Sequence, residues 1–176
     1  MAVYGLNGRP GAEFTELLDA AAARLAHTLQ TSCRVETEAF DASETFDESR
    51  GQYHSTAILQ AMQAYRVPAD RVLLGVTEED LFVPILTFVF GEAQISGPLA
   101  LVSTARLRDE YYGMPQNPPL LLERTEKEAL HEIGHTQGLR HCSDWNCVMS
   151  SSHAVERIDL KAASYCLECW KAIAGR

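Results

Sequence analysis

The residues best suited to chemistry lie in the stretch from His131 to His141. If this stretch begins on a helix, His131 and His135 share one face, where two neutral imidazoles can bind one Zn²⁺. Glu132 is then placed to take a proton from a water molecule bound to that zinc. Gly138 can adopt the left-handed conformation that ends a helix, so the chain can turn back and bring His141 to the same ion. Three protein ligands leave a fourth position open, which is typical of a catalytic zinc.

The residues after His141 extend this pattern. They include four of the five cysteines and one methionine, namely Cys142, Cys147, Met149, Cys166 and Cys169. The pattern from Thr125 to Cys169 resembles the metzincin clan of zinc peptidases and, within it, the archaemetzincin family, in which a long zinc-binding motif is joined to four cysteines that bind a second zinc. A bare His-Glu-x-x-His occurs by chance in unrelated helices, but the added residues at these spacings very rarely would.

The resemblance implies a zinc metallopeptidase with two zinc ions per chain. His131, His135 and His141 would bind the catalytic zinc, and Glu132 would be the catalytic residue. Met149 would form an apolar floor beneath that zinc. The structural zinc would be bound by thiolates that close all four of its positions, namely Cys142, Cys147, Cys166 and Cys169.

The implied fold is α/β and metzincin-like. It has a mixed twisted sheet with one edge strand beside the cleft, a backing helix, an active-site helix and a small zinc-stabilised C-terminal part. Residues 1–176 would form a single domain, with an upper subdomain of about residues 1–138 and a lower zinc-knuckle subdomain of about residues 139–176. The lower part has few core-forming residues, so we expect a metal to stabilise it.

Composition and charge limit the expected partners. The chain has 176 residues, of which 46% are hydrophobic, enough for one domain with a core. A formal net charge of −9 argues against nucleic acid and anionic membranes as main partners. No apolar stretch is long enough to span a bilayer, and the N-terminal residues lack a basic region followed by an apolar run, so we expect a cytoplasmic protein without a secretory signal. The expected partner is a peptide or protein substrate, and the expected oligomeric state is a monomer.

Two interpretations compete with a peptidase. One is a catalytically inactive zinc-binding module that binds peptides or a partner protein. The other is a redox protein built on Cys166 and Cys169, although a redox pair usually begins a helix in a thioredoxin-like unit, and none surrounds Cys166.

Two further roles have candidate residues but no motif. An aminopeptidase-like activity would need an acid to receive the substrate amine, and Glu92 on the expected edge strand is a candidate. Tyr165 and the pair Tyr111 and Tyr112 are the visible candidates for stabilising an oxyanion.

Hydrophobic periodicity predicts the remaining elements. A Thr-x-x-Glu capping box at Thr125 would start the helix that carries His131 and His135. A helix at Ser55–Tyr65 would back it, as in a metzincin, and the polar segment Asp41–Gln52 is predicted to be a flexible surface loop. The other predictions are strands at Met1–Gly5, Ser32–Phe40, Arg71–Val76, Pro84–Phe90 and Leu99–Thr104, helices at Glu13–Gln30 and Cys169–Ala174, a turn at Gly8–Gly11, and a loop at Tyr111–Pro119.

Overall fold

The structure, a computed structural model, describes residues 2–6, 11–65, 67–68 and 70–175, with the backbone alone at 2–6 and 37–40. Within these ranges the strands are β1 (Ala2–Leu6), β2 (Arg34–Phe40), β3 (Phe46–Asp47), β4 (Gln52–His54), β5 (Leu73–Thr77), β6 (Leu81–Phe82), β7 (Gly91–Ala93) and β8 (Leu99–Ser103). The helices are α1 (Ala12–Thr28), α2 (Ser55–Met62), α3 (Pro118–Thr136), α4 (Val155–Leu160) and α5 (Leu167–Ala174). The turn predicted at Gly8–Gly11 lies outside the described residues except for Gly11.

The main sheet is mixed and has the strand order β2-β1-β5-β8-β7. β1 pairs in parallel with β2 and β5, and β5 pairs in parallel with β8. β7 runs antiparallel to β8, with Gly91 opposite Val102 and Ala93 opposite Ala100. Because β7 is the last strand in this order, it forms an edge of the sheet. The predicted α/β class, with a mixed sheet and one edge strand, is confirmed.

The two faces of this sheet are covered by different helices. Side chains alternate along a strand, so β5 and β8 each contribute to both faces. On one face α1 and α3 share a core cluster with these strands, which includes Leu18, Leu25, Leu74, Val102, Leu130 and Ile133. On the other face α2 packs in a second cluster that includes Ile58, Leu59, Met62, Leu73, Leu99 and Leu101.

The helix that backs α3 is therefore α1. A helix does occur within the predicted range Ser55–Tyr65, but its assignment as the backing helix was wrong. Both helices present an apolar face of similar character, and periodicity alone does not say which face of the sheet each one covers.

The strand predicted at Pro84–Phe90 is absent, and the edge strand begins one residue later, at Gly91. The segment is apolar, but Ile85 is 91% exposed, so this apolar run is not a buried strand. Its carbonyl groups find side-chain partners instead, since Arg50 Nη2 donates to Leu86 O at 2.8 Å and Gln52 Nε2 donates to Thr87 O at 3.1 Å.

The segment Asp41–Gln52, predicted to be a flexible loop, contains regular structure. A 3₁₀ turn covers Ser43–Thr45, and β3 pairs antiparallel with β4, with Asp47 opposite Gln52. The Asp47 carboxylate accepts hydrogen bonds from Ser49 N at 2.9 Å and Ser49 Oγ at 2.6 Å, which stabilises the connecting turn. The polar residues of this segment, which suggested flexibility, therefore stabilise a tight hairpin.

The helix α3 begins at Pro118, seven residues before the predicted capping box. Asn117 is its N-cap, and Asn117 Oδ1 accepts a hydrogen bond from Leu120 N at 3.3 Å. Thr125 lies inside the helix, where its hydroxyl donates to Leu121 O at 2.7 Å. The prediction of a helix start at Thr125 was therefore wrong, and so was the C-terminal end of the predicted loop Tyr111–Pro119. In the described part of the chain, no helix has both the length and the apolar character that crossing a membrane requires.

A buried arginine fixes α3 against α4. Arg124 makes a two-point contact with Asp159, from Nε to Oδ1 at 2.7 Å and from Nη2 to Oδ2 at 2.8 Å. Its Nη1 also donates to Leu107 O at 2.8 Å and to Asp109 Oδ1 at 2.6 Å. Such a planar fork of donors matches carboxylates in a way that lysine does not.

We predict that Arg124→Lys lowers the free energy of unfolding by about 2–3 kcal/mol, because one ammonium cannot satisfy the partners of a buried guanidinium. Urea denaturation followed by circular dichroism measures the change. Arg24→Lys is the control, since the Arg24 side chain is 45% exposed and pairs with Glu126 at 3.0 Å, so a change below about 0.5 kcal/mol is expected. Equal losses in the two variants would contradict the prediction.

Candidate active site

Three histidines converge at the C-terminal end of α3. His131 and His135 lie one helical turn apart, and their Nε2 atoms are 3.2 Å apart. Gly138 follows the helix in the left-handed conformation, with φ of 78°, and its N–H donates to His135 O at 2.8 Å. The chain therefore turns back and brings His141 to the other two. One ligand atom from each residue lies within 4.8 Å of the others, and we call the three the histidine cluster.

Backbone carbonyls hold two of the rings in the orientation that a metal requires. His131 Nδ1 lies 2.8 Å from Val148 O, and His135 Nδ1 lies 2.8 Å from Leu139 O. A carbonyl oxygen only accepts hydrogen bonds, so Nδ1 of each ring carries the proton. Each Nε2 atom is left with a lone pair that faces the centre of the cluster, which is the usual arrangement of metal-binding histidines.

Burial also favours the neutral form of the imidazoles. It lowers the pKa of His131 well below its usual value, and the nearby Lys161 ammonium acts in the same direction. Burial likewise lowers the pKa of His141, although this residue is more exposed. Neutral imidazole is the form that binds a metal.

The geometry of the histidine cluster fits zinc. Zn–N bonds of about 2.0–2.1 Å in a tetrahedral site place two nitrogen atoms ~3.3–3.4 Å apart. The two Nε2 atoms on α3 are 3.2 Å apart, close to that spacing. The donor set, the tautomers and the spacing are therefore all suited to this ion.

Glu132 lies beside the histidine cluster and is buried. Gly91 of the edge strand packs directly against it, because a Cβ atom at Gly91 would lie 2.7 Å from Glu132 Oε1 and 2.6 Å from Leu101 O. Burial raises the pKa of the Glu132 carboxyl well above its usual range, and the negative charges of Glu128 and Glu92 contribute in the same direction. A carboxylate with a raised pKa is a stronger base.

Met149 packs under α3 at the turn that carries the histidines. It is fully buried, and a Cβ atom at Gly134 would lie only 2.3 Å from its Sδ atom. Tyr165 packs at the same place and donates its hydroxyl to Leu130 O at 2.6 Å. The absence of a side chain at Gly134 is therefore what allows Met149 to contact this helix.

The segment Val148–Met149 connects both ends of the histidine cluster. Val148 O contacts His131, and Met149 O accepts a hydrogen bond from Cys142 N at 2.9 Å. Cys142 follows His141 directly in the chain. The first and third histidines are thus held by adjacent carbonyl groups of one short segment.

Four cysteines form a second cluster next to the first. Cys142 Sγ lies 3.8 Å from Cys166 Sγ, and Cys147 Sγ lies 3.8 Å from Cys169 Sγ. All four sulfur atoms lie within 4.8 Å of one another, the thiols are free, and we call these residues the cysteine cluster. The fifth cysteine, Cys33, is not part of it.

The cysteine cluster also fits zinc. Zn–S bonds of about 2.3 Å in a tetrahedron place neighbouring sulfur atoms ~3.8 Å apart. The two contacts between sulfur atoms have this length. Four convergent thiols leave no open position on such an ion, which is the arrangement of a structural site.

A cavity of about 520 Å³ opens beside the histidine cluster. Its walls come from the segment before β7, from β7 itself, from α3, and from the residues that follow Met149. The residues with polar side chains in these walls are Thr87, Glu92, Glu128, His131, Glu132, His135, His141, Ser151, Ser152 and His153.

Glu92 and the three candidate tyrosines differ in their position relative to the cavity. Glu92 lines the cavity, but its carboxylate already accepts hydrogen bonds from the hydroxyls of Ser55 and Thr56. Tyr165 is buried under Gly134, and Tyr111 and Tyr112 do not line the cavity. The three tyrosines are therefore not placed to stabilise an oxyanion.

Sequence reasoning missed several residues of the cavity. Glu128 lies one turn before Glu132 on α3, and helical spacing from Glu132 was a signal that could have indicated it. Lys161 does not line the cavity but holds Glu128 there, with its Nζ 2.9 Å from Glu128 Oε1, and it had no signal in the sequence because the two residues are far apart in the chain.

Comparisons with known proteins agree with this geometry. Residues 18–174 match the family model described as Peptidase family M54. The chain is 47% identical to the archaemetzincin of Methanocaldococcus jannaschii over 131 residues, which are 74% of this chain and 71% of that protein. Among solved structures, the archaemetzincin of Archaeoglobus fulgidus complexed with malonate superposes with a TM-score of 0.80 at 36% identity, covering 98% of this chain and 99% of the other. The archaemetzincin of Methanopyrus kandleri superposes with a TM-score of 0.80 at 33% identity, covering 99% and 94%.

The fold and these matches define the class of protein as a zinc metallopeptidase. The chain belongs to peptidase family M54, the family of the archaemetzincins. The resemblance stated from the sequence motif is thereby confirmed.

We predict that Gly134→Ala destabilises the protein, although alanine normally stabilises a helix by about 1 kcal/mol relative to glycine. The new methyl group would overlap Met149 Sδ, and such overpacking typically costs about 1–3 kcal/mol. Urea denaturation should show that the same substitution is neutral or stabilising when Met149→Ala is already present. A loss of the same size in both backgrounds would show that Met149 is not the cause.

Proposed function

We propose that this peptidase hydrolyses peptide bonds at a zinc ion held by His131, His135 and His141, with Glu132 as the general base. The observation that carries the proposal is the pair of Nε2 atoms 3.2 Å apart, with Glu132 buried beside them in the wall of an open cavity. The carbonyl partners of both Nδ1 atoms support it, because they fix the tautomer that binds a metal.

The proposed chemistry divides between the metal and Glu132. A zinc ion held by the three imidazoles would supply Lewis acidity, which polarises a scissile carbonyl and makes the attacking water more acidic. The Glu132 carboxylate removes a proton from that water as its oxygen bonds to the carbonyl carbon. The same carboxyl group then gives the proton to the amine as the C–N bond breaks, so Glu132 ends the cycle ionised, as it began.

We further propose that β7 binds the substrate as an extended strand. Gly91, Glu92 and Ala93 all line the cavity, and β7 has a sheet partner on one side, namely β8. A peptide can pair with the other side of such an edge strand through main-chain hydrogen bonds. The scissile bond would then lie next to Glu132, against which Gly91 packs.

A second zinc in the cysteine cluster completes the proposal. The two sulfur spacings of 3.8 Å and the four free thiols support a structural site, so we propose two zinc ions per chain. Met149 would lie beneath the catalytic ion as its apolar floor. In this interpretation residues 1–176 are one domain, whose lower part, from about residue 139, depends on the structural zinc. A monomer and a cytoplasmic location stay predictions from the sequence.

The competing non-catalytic module is not favoured. A module that only binds peptides has no need for a buried carboxylate beside three convergent imidazoles, whereas hydrolysis requires one. The redox interpretation likewise leaves Cys142 and Cys147 unexplained, although their sulfur atoms contact those of Cys166 and Cys169.

We predict that Glu132→Gln lowers peptide hydrolysis by about 10²–10⁴-fold, because the amide cannot take the proton. The measurement is cleavage of a diverse peptide library by the zinc-loaded protein, read by mass spectrometry, with zinc content determined in parallel. Glu126→Gln is the control, since Glu126 is a buried carboxylate of α3 that pairs with Arg24 on the side of α1. Activity within a few-fold of the wild type in Glu132→Gln would exclude Glu132 as the base.

We predict that Cys169→Ser weakens zinc binding at the histidine cluster, although Cys169 belongs to the cysteine cluster. Loss of the structural zinc should release the segment Val148–Met149, whose carbonyls hold His131 and the residue after His141. Chelator competition measures the affinity, and elemental analysis should give two zinc ions in the wild type and fewer in the variant.

The control for this experiment is Cys33→Ser, which removes the one cysteine outside the cluster. It should keep both zinc ions. Wild-type affinity at the histidine cluster in Cys169→Ser would show that the cysteines serve another purpose and would favour the redox interpretation.

A further inference from the structure

Glu128 is a buried carboxylate that the proposed mechanism does not use. It precedes Glu132 by four residues on α3, so the two side chains share one face of the helix, and both line the cavity. The Glu128 side chain is only 4% exposed. Its Oε1 atom is buried and pairs with Lys161 Nζ at 2.9 Å, and no other group in the described residues donates a hydrogen bond to it.

The Lys161 side chain that pairs with this carboxylate is buried away from the cavity. Its side chain is 1% exposed, it does not line the cavity, and its Nζ also donates to Ser150 O at 3.3 Å. A molecule in the cavity can therefore meet the Glu128 carboxylate but not the ammonium group. The buried ion pair holds the carboxylate in place, because removing either partner would leave an uncompensated charge.

The walls of the cavity are acidic. Glu92, Glu128 and Glu132 line it, and among the described residues that form its walls there is no lysine or arginine. Glu92 already has two hydroxyl donors, from Ser55 and Thr56, whereas Glu128 has the ion pair alone. A buried carboxylate gains most from a charged donor, since hydrogen bonds between ionised groups are about twice as strong as neutral ones.

The remaining lining suits the rest of a long basic side chain. Phe88 and Phe90 line the same cavity, with ring centroids 5.1 Å apart. Lysine and arginine commonly bury their aliphatic stems along such apolar surfaces and leave the charged end for a polar partner. The lining of the cavity therefore combines apolar side chains with carboxylates.

We propose that Glu128 determines substrate specificity by binding the side chain of a lysine or arginine next to the scissile bond. This inference rests on the proposed function, because Glu132 marks the position of that bond. Residues four apart on a helix have Cβ atoms about 5–6 Å apart, which matches the separation between a substrate carbonyl and a neighbouring side chain. Charge-assisted recognition of this kind should give a preference of about 10- to 100-fold.

The first experiment compares cleavage preferences. The zinc-loaded wild type and Glu128→Gln are incubated with a peptide library of randomised sequence, and the residues on both sides of each cleaved bond are read by mass spectrometry. Lysine and arginine should be enriched on one side in the wild type, and the enrichment should fall by at least about tenfold in Glu128→Gln. The readout is a ratio between peptides, so a general change in rate does not affect it.

The matched control is Glu126→Gln, which removes a buried carboxylate two residues away that pairs with Arg24 and does not line the cavity. It should keep the enrichment. Absence of enrichment in the wild type, or equal enrichment in the wild type and Glu128→Gln, would overturn the proposal.

A binding measurement separates this proposal from the proposed catalysis. Calorimetry on the zinc-loaded Glu132→Gln protein compares two peptides that differ only in having lysine or norleucine at one position. Their sequence is taken from a cleaved peptide or, if nothing is cleaved, from a library peptide that the protein binds. Tighter binding of the lysine peptide, lost when Glu128→Gln is added, supports the subsite even if the wild type hydrolyses nothing. Equal binding of the two peptides refutes the subsite even if Glu132 is the base.

If Glu128→Gln fails to fold, the double variant Glu128→Met with Lys161→Met replaces it, because a buried ion pair can be exchanged for apolar residues of similar volume. The double variant should prefer norleucine over lysine. A retained preference for lysine would overturn the proposal.

Discussion

The arrangement of the site depends on one short segment that holds two histidines from below. The carbonyl of Val148 fixes the ring of His131, and the carbonyl of Met149 holds the backbone directly after His141. A buried carbonyl must find a donor, and an imidazole that binds a metal through Nε2 has one to offer at Nδ1. The same hydrogen bond therefore satisfies the backbone and orients the ligand. Because Cys147 precedes this segment and Cys142 bonds to it, the cysteine cluster and the histidine cluster share one backbone.

The rest of the fold keeps this segment under α3. Gly134 removes the side chain that would otherwise collide with Met149, and Tyr165 closes the space by bonding to Leu130 O. Buried charges hold α4 and the residue after it against the middle of α3, where Arg124 meets Asp159 and Lys161 meets Glu128. These ion pairs are expensive to bury, and apolar residues would stabilise the contact as well. Their role is to fix positions, since they hold in place the wall of the cavity formed by the residues after Met149.

The sequence predicts the chemistry of the site more accurately than it predicts the bounds of the helices and strands on which the site residues lie. The spacing of His131, His135, Gly138 and His141 is a local property of a helix and a turn, so it can be derived without knowing any distant contact. Apolar runs of the right length predict the strands β5 and β8, whereas the mixed sheet was implied by the resemblance to the archaemetzincins. The start of α3 could not be derived, because Thr125-x-x-Glu128 has the form of a capping box while its side chains serve contacts inside a longer helix.

Other features depend on contacts between distant segments. The apolar run Pro84–Phe90 resembles a strand, but its carbonyl groups bind Arg50 and Gln52 from a hairpin far away in the chain. The backing role of α1 rather than α2 depends on which face of the sheet each helix covers. Lys161 and Glu128 are 33 residues apart by their numbers and have no shared motif, so their contact is visible only in three dimensions.

The central claim is that two chemically different zinc sites share one segment of backbone. The most direct measurement is zinc K-edge X-ray absorption of the purified, zinc-loaded protein, combined with elemental analysis. Two zinc ions per chain should be found, with sulfur at about 2.3 Å and nitrogen or oxygen at about 2.0–2.1 Å contributing in nearly equal numbers to the average zinc environment. A single zinc per chain after full loading, or a spectrum that contains only one of the two kinds of ligand, would contradict it.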